Sequence, residues 1–385
     1  MGYINERLKK VSEIISPTTS AAGDRTTNMT TTSERVQVPD QLPWDPNCTR
    51  FPTRKELPKI PGAPKDAAWV WGKDDQLGRL NLLTPARVKA AAAEIKLGEM
   101  IRLDLPLHIP ETPAFDRELF QHHIKELVED VVYDDTYTLN TQSGTQWDGF
   151  RHFAHLDTKL FYNGAKSTDF KPPSTTSTPP SPHKCSIHHL STHGLATRAI
   201  LLDYRHYHST THPENPYDPY TSHPIPLSAL HACARAQGIN PLPASQGGDI
   251  QPGDLLLVRS GFVEQYHTLP AQERTAAARR SHADLRWAGV AQDEDVLTWL
   301  HDCYFAAVAG DSPTFECWPP TRDGGQGFMH QELLACWGMM IGEMWDLERL
   351  ASRCRELGRW TVFVTSAPAM VFGGVGSHAN ATAIL

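Results

Sequence analysis

Apolar side chains are nearly absent between residues 16 and 34, where Thr and Ser dominate. Such a stretch cannot offset the entropy of ordering and is expected to be flexible. From residue 42 to 64 prolines recur every few positions (Pro43, Pro46, Pro52, Pro58, Pro61, Pro64), which predicts an extended arm lying across a surface rather than a helix. The first helix is predicted over 84–97, with Thr84 as N-cap, Pro85 at the first helical position and Gly98 as the stop. Alternation of Ile101, Leu103 and Leu105 predicts a strand over 100–105, and a second strand is predicted over 136–141. Continuous apolar runs at 199–203 and 254–259 have the character of strands buried on both faces, the second introduced by Pro252-Gly253. A helix over 227–237, closed by Gly238, falls between them. Further along come helices over 271–284 and 293–301, a strand over 304–309, a helix over 346–357 stopped by Gly358, and a strand over 360–365.

This alternation predicts an α/β fold. Its strands are spread through the whole chain with no solenoid repeat, so one interwoven domain is expected over 42–385, preceded by a flexible N-terminal segment over 1–41. Residues 171–184 form a Pro/Ser/Thr-rich tract that reads as an inserted loop. With 40% apolar residues and ten tryptophans there is ample material for a core. The net charge of -8, with no basic block, argues against a nucleic-acid partner. No apolar run approaches the roughly 18 residues of a membrane span, and the N-terminus lacks a signal-type apolar stretch, so no membrane partner and a cytoplasmic location are expected. Seven scattered cysteines without a C-x-x-C pair read as reduced thiols.

Chemistry concentrates in Gln142-Ser143-Gly144-Thr145-Gln146-Trp147-Asp148-Gly149-Phe150-Arg151-His152. The strand predicted over 136–141 runs into this segment, which should therefore sit at a strand end. Asp148 and His152 are four apart, so a helical turn after Trp147 would place a carboxylate and an imidazole on one face, a pairing suited to proton transfer near neutral pH. Spacing alone fits equally a helix cap and an ordinary part-buried histidine. Asp311 and Glu316, in Gly310-Asp311-Ser312-Pro313-Thr314-Phe315-Glu316, follow the 304–309 strand, although Asp before Ser-Pro also suits a turn. The pairs His122-His123 and His188-His189 lack ligand spacing to a partner and read as surface residues. Gly373-Gly374-Val375-Gly376 lacks the lysine of a phosphate-binding loop and reads as a tight turn.

The 142–152 segment resembles the signature His-x-Gly-Thr-His-x-Asp-x-x-x-His of the cyclase family, which includes bacterial kynurenine formamidases and isatin hydrolases. The resemblance runs from about Ala67 to the C-terminus. It includes Trp69-Val70-Trp71-Gly72, the 77–83 run Leu-Gly-Arg-Leu-Asn-Leu-Leu, Arg259-Ser260-Gly261 and the final Gly373-Gly374-Val375-Gly376. The Gln-x-Gly-x-Gln-Trp-Asp-Gly form is similar to the fungal branch of that family. The resemblance implies a swivelling β/β/α fold, a site at strand ends and a homo-oligomer. It also implies that positions holding metal in metal-dependent members are here Gln142, Gln146 and Asp148, with His330 and Glu343 joining them.

A glutamine oxygen is a weak donor toward zinc or manganese compared with imidazole or carboxylate. The expectation is thus a site with no metal cofactor; were Mn or Zn bound, Asp148, His330 and Glu343 would hold it. The resemblance implies an enzyme, a lyase or isomerase or else a hydrolase, that uses acid/base catalysis to cyclise, dehydrate or isomerise a small carbonyl compound in fungal secondary metabolism. His152 would shuttle the proton and Asp148 orient it, with His330 and Glu343 as the opposite catalytic wall. Gln142 and Gln146 would bind the substrate oxygen, and Trp147 and Asp311 would line the substrate site. The alternatives are a metal-dependent amide or lactone hydrolase and a non-catalytic metabolite-binding protein.

Overall fold

The apolar runs at the centre of the sequence become the centre of the sheet. The computed structural model describes residues 34–170, 183–320, 322 and 327–385. Arg35–Leu385 makes one compact unit. Its strands are β1 (Met100–Arg102), β2 (Gln121–Val128), β3 (Val132–Thr138), β4 (Gln146–Asp148), β5 (Leu195–Leu202), β6 (Pro224–Ile225) and β7 (Leu255–Val258). They continue as β8 (Gly289–Val290), β9 (Ala307–Gly310), β10 (Met340–Glu343), β11 (Thr361–Ser366), β12 (Gly376–His378) and β13 (Ala381–Ile384). Nine of them form one mixed sheet in the order β1-β13-β11-β5-β7-β9-β10-β4-β12.

The inner strands β5, β7, β9 and β10 are parallel. Every residue of β7, β9 and β10 is buried, as a parallel sheet covered on both faces requires. Helices supply the crossovers: Tyr204–Thr211 and Leu227–Ala236 between β5 and β7, then Phe262–Thr268, Ala271–Ala278 and Glu294–Asp302 before β9. The α/β alternation is as expected. The proline-rich arm lies over the body, where Trp44 and Phe51 are buried and Phe51 stacks on Tyr304 at 4.7 Å.

Several elements differ from expectation for local reasons. The helix over 84–97 is α-helical only over Pro85–Ala91 and tightens to a 3-10 turn at Ala92–Glu94. Beyond it the Leu97 and Gly98 amides donate to the Leu385 carbonyl, each at 2.7 Å, so the chain end claims that turn. The helix over 271–284 stops at Ala278. The strand over 136–141 is instead β3, which pairs with β2 in a separate hairpin whose residues are all exposed. Residues 1–33 of the expected flexible segment, and 171–182 of the expected insertion, lie outside the described residues. No helix among the described residues is long and apolar enough to cross a membrane.

Candidate functional site

Strand register assembles the site. Antiparallel pairing of β4 with β10 sets Gln146 opposite Glu343 and Asp148 opposite Ile341. Successive residues of a strand face opposite ways, so Gln146 and Asp148 share one face and Trp147 takes the other. Trp147 is wholly buried there, donating its Nε1 hydrogen to Ser366 Oγ at 2.8 Å and meeting Trp345 edge-on at 4.9 Å. It is a core residue and does not line the substrate site as expected. On the other side of β4, Gly376 of β12 faces Asp148. A Cβ on Gly376 would lie 2.3 Å from Gln142 Nε2 and 2.8 Å from the Trp147 carbonyl, so the glycine is what admits the Gln142 amide.

The motif does not hang from the 136–141 strand. Gln142–Thr145 form a turn, and the motif's second half is itself the sheet strand β4. Nor does a helix follow Trp147: the chain makes a tight turn, closed by His152 N donating to the Gly149 carbonyl at 2.9 Å. The turn still brings His152 Nε2 to 3.9 Å from Asp148 Oδ2.

His330 stands at the head of the π-helical segment Gln331–Cys336 and reaches three carboxylates. Its Nδ1 is 2.7 Å from Glu316 Oε1, and its Nε2 is 3.2 Å from Glu343 Oε1 and 3.5 Å from Asp148 Oδ2. Gln146 Nε2 donates to Glu343 Oε2 at 2.6 Å. Asp148, His152, His330, Glu343 and Gln146 therefore converge, with Glu316 added. Only His152 keeps appreciable side-chain exposure, 22%. Several buried atoms make no hydrogen bond: both amide atoms of Gln142, Gln146 Oε1, Asp148 Oδ2 and Glu316 Oε2. Asp148 Oδ2 lies within ion-pair range of both imidazoles but in hydrogen-bonding geometry with neither. Unpaired buried polar atoms are costly, and their concentration in one place is the mark of a site shaped for a ligand.

Mutual electrostatics separate the titrating groups. Burial and the neighbouring Asp148 raise the Glu343 carboxyl to about 7, against the pull of His330. Burial would also raise Asp148, but His152, His330 and Arg117 outweigh it and hold it below the ordinary carboxylate value. Burial lowers His152, with Asp148 partly offsetting. His330 moves the other way: burial disfavours its charge, yet Glu316, Asp148 and Glu343 together push it well above the usual imidazole value.

Asp311 does not line the site. Its oxygens accept from Ser260 N at 2.6 Å, Ser260 Oγ at 2.7 Å and Gly261 N at 2.8 Å, so it ties β9 to the loop after β7. His122 is exposed and pairs with Asp135 at 2.7 Å, as expected of a surface residue. His188 is buried, contrary to expectation, beneath Phe372 at 4.6 Å. All seven cysteines are free and buried.

Two groups of donor atoms are close enough to share a cation: Asp148, His152 and His330, and Glu316, His330 and Glu343. The unsatisfied Asp148 Oδ2 and Gln146 Oε1 add to the fit, and Glu316 on His330 Nδ1 resembles the carboxylate that orients a ligating histidine. The set fits Mn or Zn, with the glutamine oxygens as its weakest members.

Two residues that sequence reasoning did not assign complete the site. Glu316 was visible as a candidate beside Asp311, but its pairing with His330 depends on where the π-helical segment packs. Arg117 sits in a loop ahead of β2, with no pattern to mark it. It donates to the Gln142 carbonyl and is close enough to Glu343 and Asp148 to act on both. Arg117 and Gln142 also line a small neighbouring cleft.

The Cyclase family model matches residues 101–317. The crystal structure of a novel cyclase is 26% identical, with a TM-score of 0.67 over 83% of this chain and 99% of that one. Isatin hydrolase A from Labrenzia aggregata bound to benzyl benzoate shares the fold at 10% identity, with a TM-score of 0.50 over 76% of this chain and 94% of that one. An isatin hydrolase bound to the product analogue thioisatinate is 14% identical, with a TM-score of 0.47 over 79% of this chain and 97% of its own. No curated protein matches.

Proposed function

We propose, from the premise that the chain belongs to the Cyclase family, that it is an enzyme performing acid/base chemistry on a small carbonyl compound, cyclising, dehydrating or isomerising it. The observation that carries this reading is the convergence of Asp148, His152, His330 and Glu343 around unsatisfied amide and carboxylate atoms. An acid and a base whose environments set their proton affinities apart are what such catalysis needs. His152, kept neutral by burial and partly open to solvent, takes a proton from the substrate through Nε2, and ionised Asp148 stabilises the imidazolium that results. Glu343, protonated into the neutral range, returns a proton to the oxygen on which charge develops. The Gln142 amide, with no protein partner, is free to donate to that oxygen. His330 holds its charge beside Glu316 and Asp148 and serves as their counter-ion.

A second reading rests on the two donor groups around His330. Asp148, His330 and Glu343, with His152 beside them, would hold Mn or Zn. When bound, the ion would supply Lewis-acid polarisation of a carbonyl, in the manner of a metal-dependent amide or lactone hydrolase. The similarity of the glutamine motif to the fungal branch supports a role in secondary metabolism.

One experiment separates these readings. Chelator-stripped protein, with and without Mn or Zn added back, is screened against aromatic keto acids, lactones and anilides, and His152→Ala is assayed on the best substrate. Metal-free turnover that falls at least ~100-fold in His152→Ala is expected. Near-normal turnover by the variant would remove His152 from its role, and activity found only after metal addition would favour the hydrolase. Tight binding without conversion would leave a non-catalytic binding protein.

A further inference from the structure

The hairpin of β2 and β3 stands apart from the sheet that carries the site. It pairs with no other strand among the described residues, and every residue of both its strands is exposed. The eight residues of β2, at about 3.4 Å each, make an arm roughly 25 Å long. A lone two-stranded hairpin is marginal in water and is stabilised when another surface packs on it. Register sets His122 opposite Tyr137, Ile124 opposite Asp135 and Glu126 opposite Tyr133, so these side chains share one face. Phe120 extends that face, its ring 6.1 Å from that of Tyr137. Ile124 is 70% exposed, and Tyr133 and Tyr137 are each 52% exposed. The arm also carries Glu126, Glu129, Asp130, Asp134 and Asp135 against Lys125 as its one lysine, so it is acidic as well as apolar.

A matching surface begins at the root of the arm. There Arg117 donates to the Gln142 carbonyl and Asn140 donates to Glu118. Gln142 abuts Gly376, which opens β12, the outer strand of the nine-stranded sheet. The loop leading into β12 exposes Met370, Val371, Phe372 and Val375, with Phe372 stacked on His188 at 4.6 Å. No charged residue occurs over 366–377, and the adjoining segment 183–193 has Lys184, four histidines and no carboxylate. Lys184 itself reaches Asp169 at 3.6 Å. An acidic apolar arm and a basic apolar patch thus flank one corner of the molecule. Both are exposed, so the arm does not cover the patch of its own chain. Two complementary surfaces on one chain are what a two-fold pair requires, each arm meeting the patch of the other copy. Their exposed apolar side chains offer on the order of 1,000 Å² per copy, against the ~800 Å² that each partner of a stable complex buries.

We propose that the chain pairs with a second copy by reciprocal exchange of arms, the β2–β3 hairpin of each seated on the 370–375 loop and outer strand β12 of the other. The exchange reaches the site from both ends. The arm's root holds Arg117 and Gln142, and the Val375 carbonyl accepts from Gly149 N at 3.1 Å, in the turn that brings in His152. The seated arm of the second copy therefore lies over the turn that carries His152, whichever reaction the site performs.

Sedimentation velocity of the full chain at micromolar concentration tests the pairing, and introduced cysteines test its geometry. A dimer is expected. Ile124→Asp and Phe372→Asp should each raise its dissociation constant at least ~10-fold, since each carries a carboxylate into an apolar contact. All seven native cysteines are buried, so a short bismaleimide reports on introduced thiols alone. A linked dimer is expected from a mixture of Ile124→Cys and Phe372→Cys copies and not from either variant by itself. Both positions are largely exposed, so the cysteine variants keep the fold even where an aspartate disturbs it. A monomer, which would leave the arm to a different protein, would overturn the proposal. So would a dimer that neither aspartate weakens, the absence of linking in the mixture, or linking in Ile124→Cys alone, which would set arm against arm.

Discussion

At the scale of single residues, the division of labour between His152 and Glu343 fixes a pH profile. His152 must be neutral to accept a proton, and burial lowers it below 6.5, so activity rises from the acid side as that proton leaves. Glu343 must be protonated to donate, and its value of about 7 makes activity fall as pH rises beyond it. The two limbs form a bell whose apparent pKa values belong to the coupled cluster. In metal-free Glu343→Gln the acid limb should remain while the alkaline limb disappears and the plateau rate drops; a log kcat profile of unchanged shape would contradict the assignment of Glu343 as the acid. How far such residues were legible in the sequence depended on proximity along the chain. Gln142, Gln146, Asp148 and His152 stand within eleven residues and announced themselves together. Trp147 was misplaced because strand alternation, once β4 is known, turns it away from its neighbours. Arg117 could not be found at all, since nothing near it in sequence shares its surroundings.

At the scale of elements, the site depends on three strands held in fixed register, β10, β4 and β12. Gln146 faces Glu343 on one side and His378 on the other, and Asp148 faces Gly376. The sequence marked 373–376 as a turn, which accounts for Gly373 at a φ of 81°. Gly376 has a different reason to be glycine, since it opens β12 and the Gln142 amide and Trp147 carbonyl occupy the space of a side chain. A methyl group there meets backbone as well as a side chain, so Gly376→Ala should cost about 1–3 kcal/mol as an overpacking change. It should also displace the Gln142 amide. Urea denaturation should therefore show a lowered midpoint, and steady-state assays a raised KM; a variant with parent-like values for both would mean that β12 gives way without disturbing Gln142. The parallel strands β5, β7 and β9 were legible because burial on both faces leaves an unbroken apolar run. The β2–β3 hairpin and the π-helical segment were not. A fully exposed hairpin carries no one-sided apolar pattern, and a π-turn differs from an α-turn only in where neighbouring segments allow its carbonyls to bond.

At the scale of the whole molecule, the α/β class follows from the alternation of buried strands with helices, which any order of strands in the sheet would have produced. The order itself, and with it the convergence of residues 117, 142–152, 316, 330 and 343, comes from chain closure over long separations and has no local signal. That closure buries an ionised cluster in the core, and its proton affinities make folding depend on pH. Glu343 is raised from 4.5 to about 7, so the native state keeps a proton that the unfolded chain has lost between those values. The stability this contributes is fully present below about 4.5 and is lost as pH rises through about 7, on the order of 3 kcal/mol for a shift of that size. His330, raised above 6.5, adds a loss of the same sign that begins above its unfolded value. Asp148 acts oppositely, since its lowered value contributes stability above 3.8 that is lost only as pH falls below it. Between pH 5 and 7 the lowered His152, His223 and His301 act with the opposite sign, since the unfolded chain binds protons there that the native state does not, so the Glu343 effect is read from the difference between parent and Glu343→Gln. Going from pH 5 to 7, the urea midpoint of Glu343→Gln should therefore rise relative to the parent's, while Asp148 leaves both unchanged there; parallel pH dependence in the two proteins would show that Glu343 does not hold its proton in the folded core.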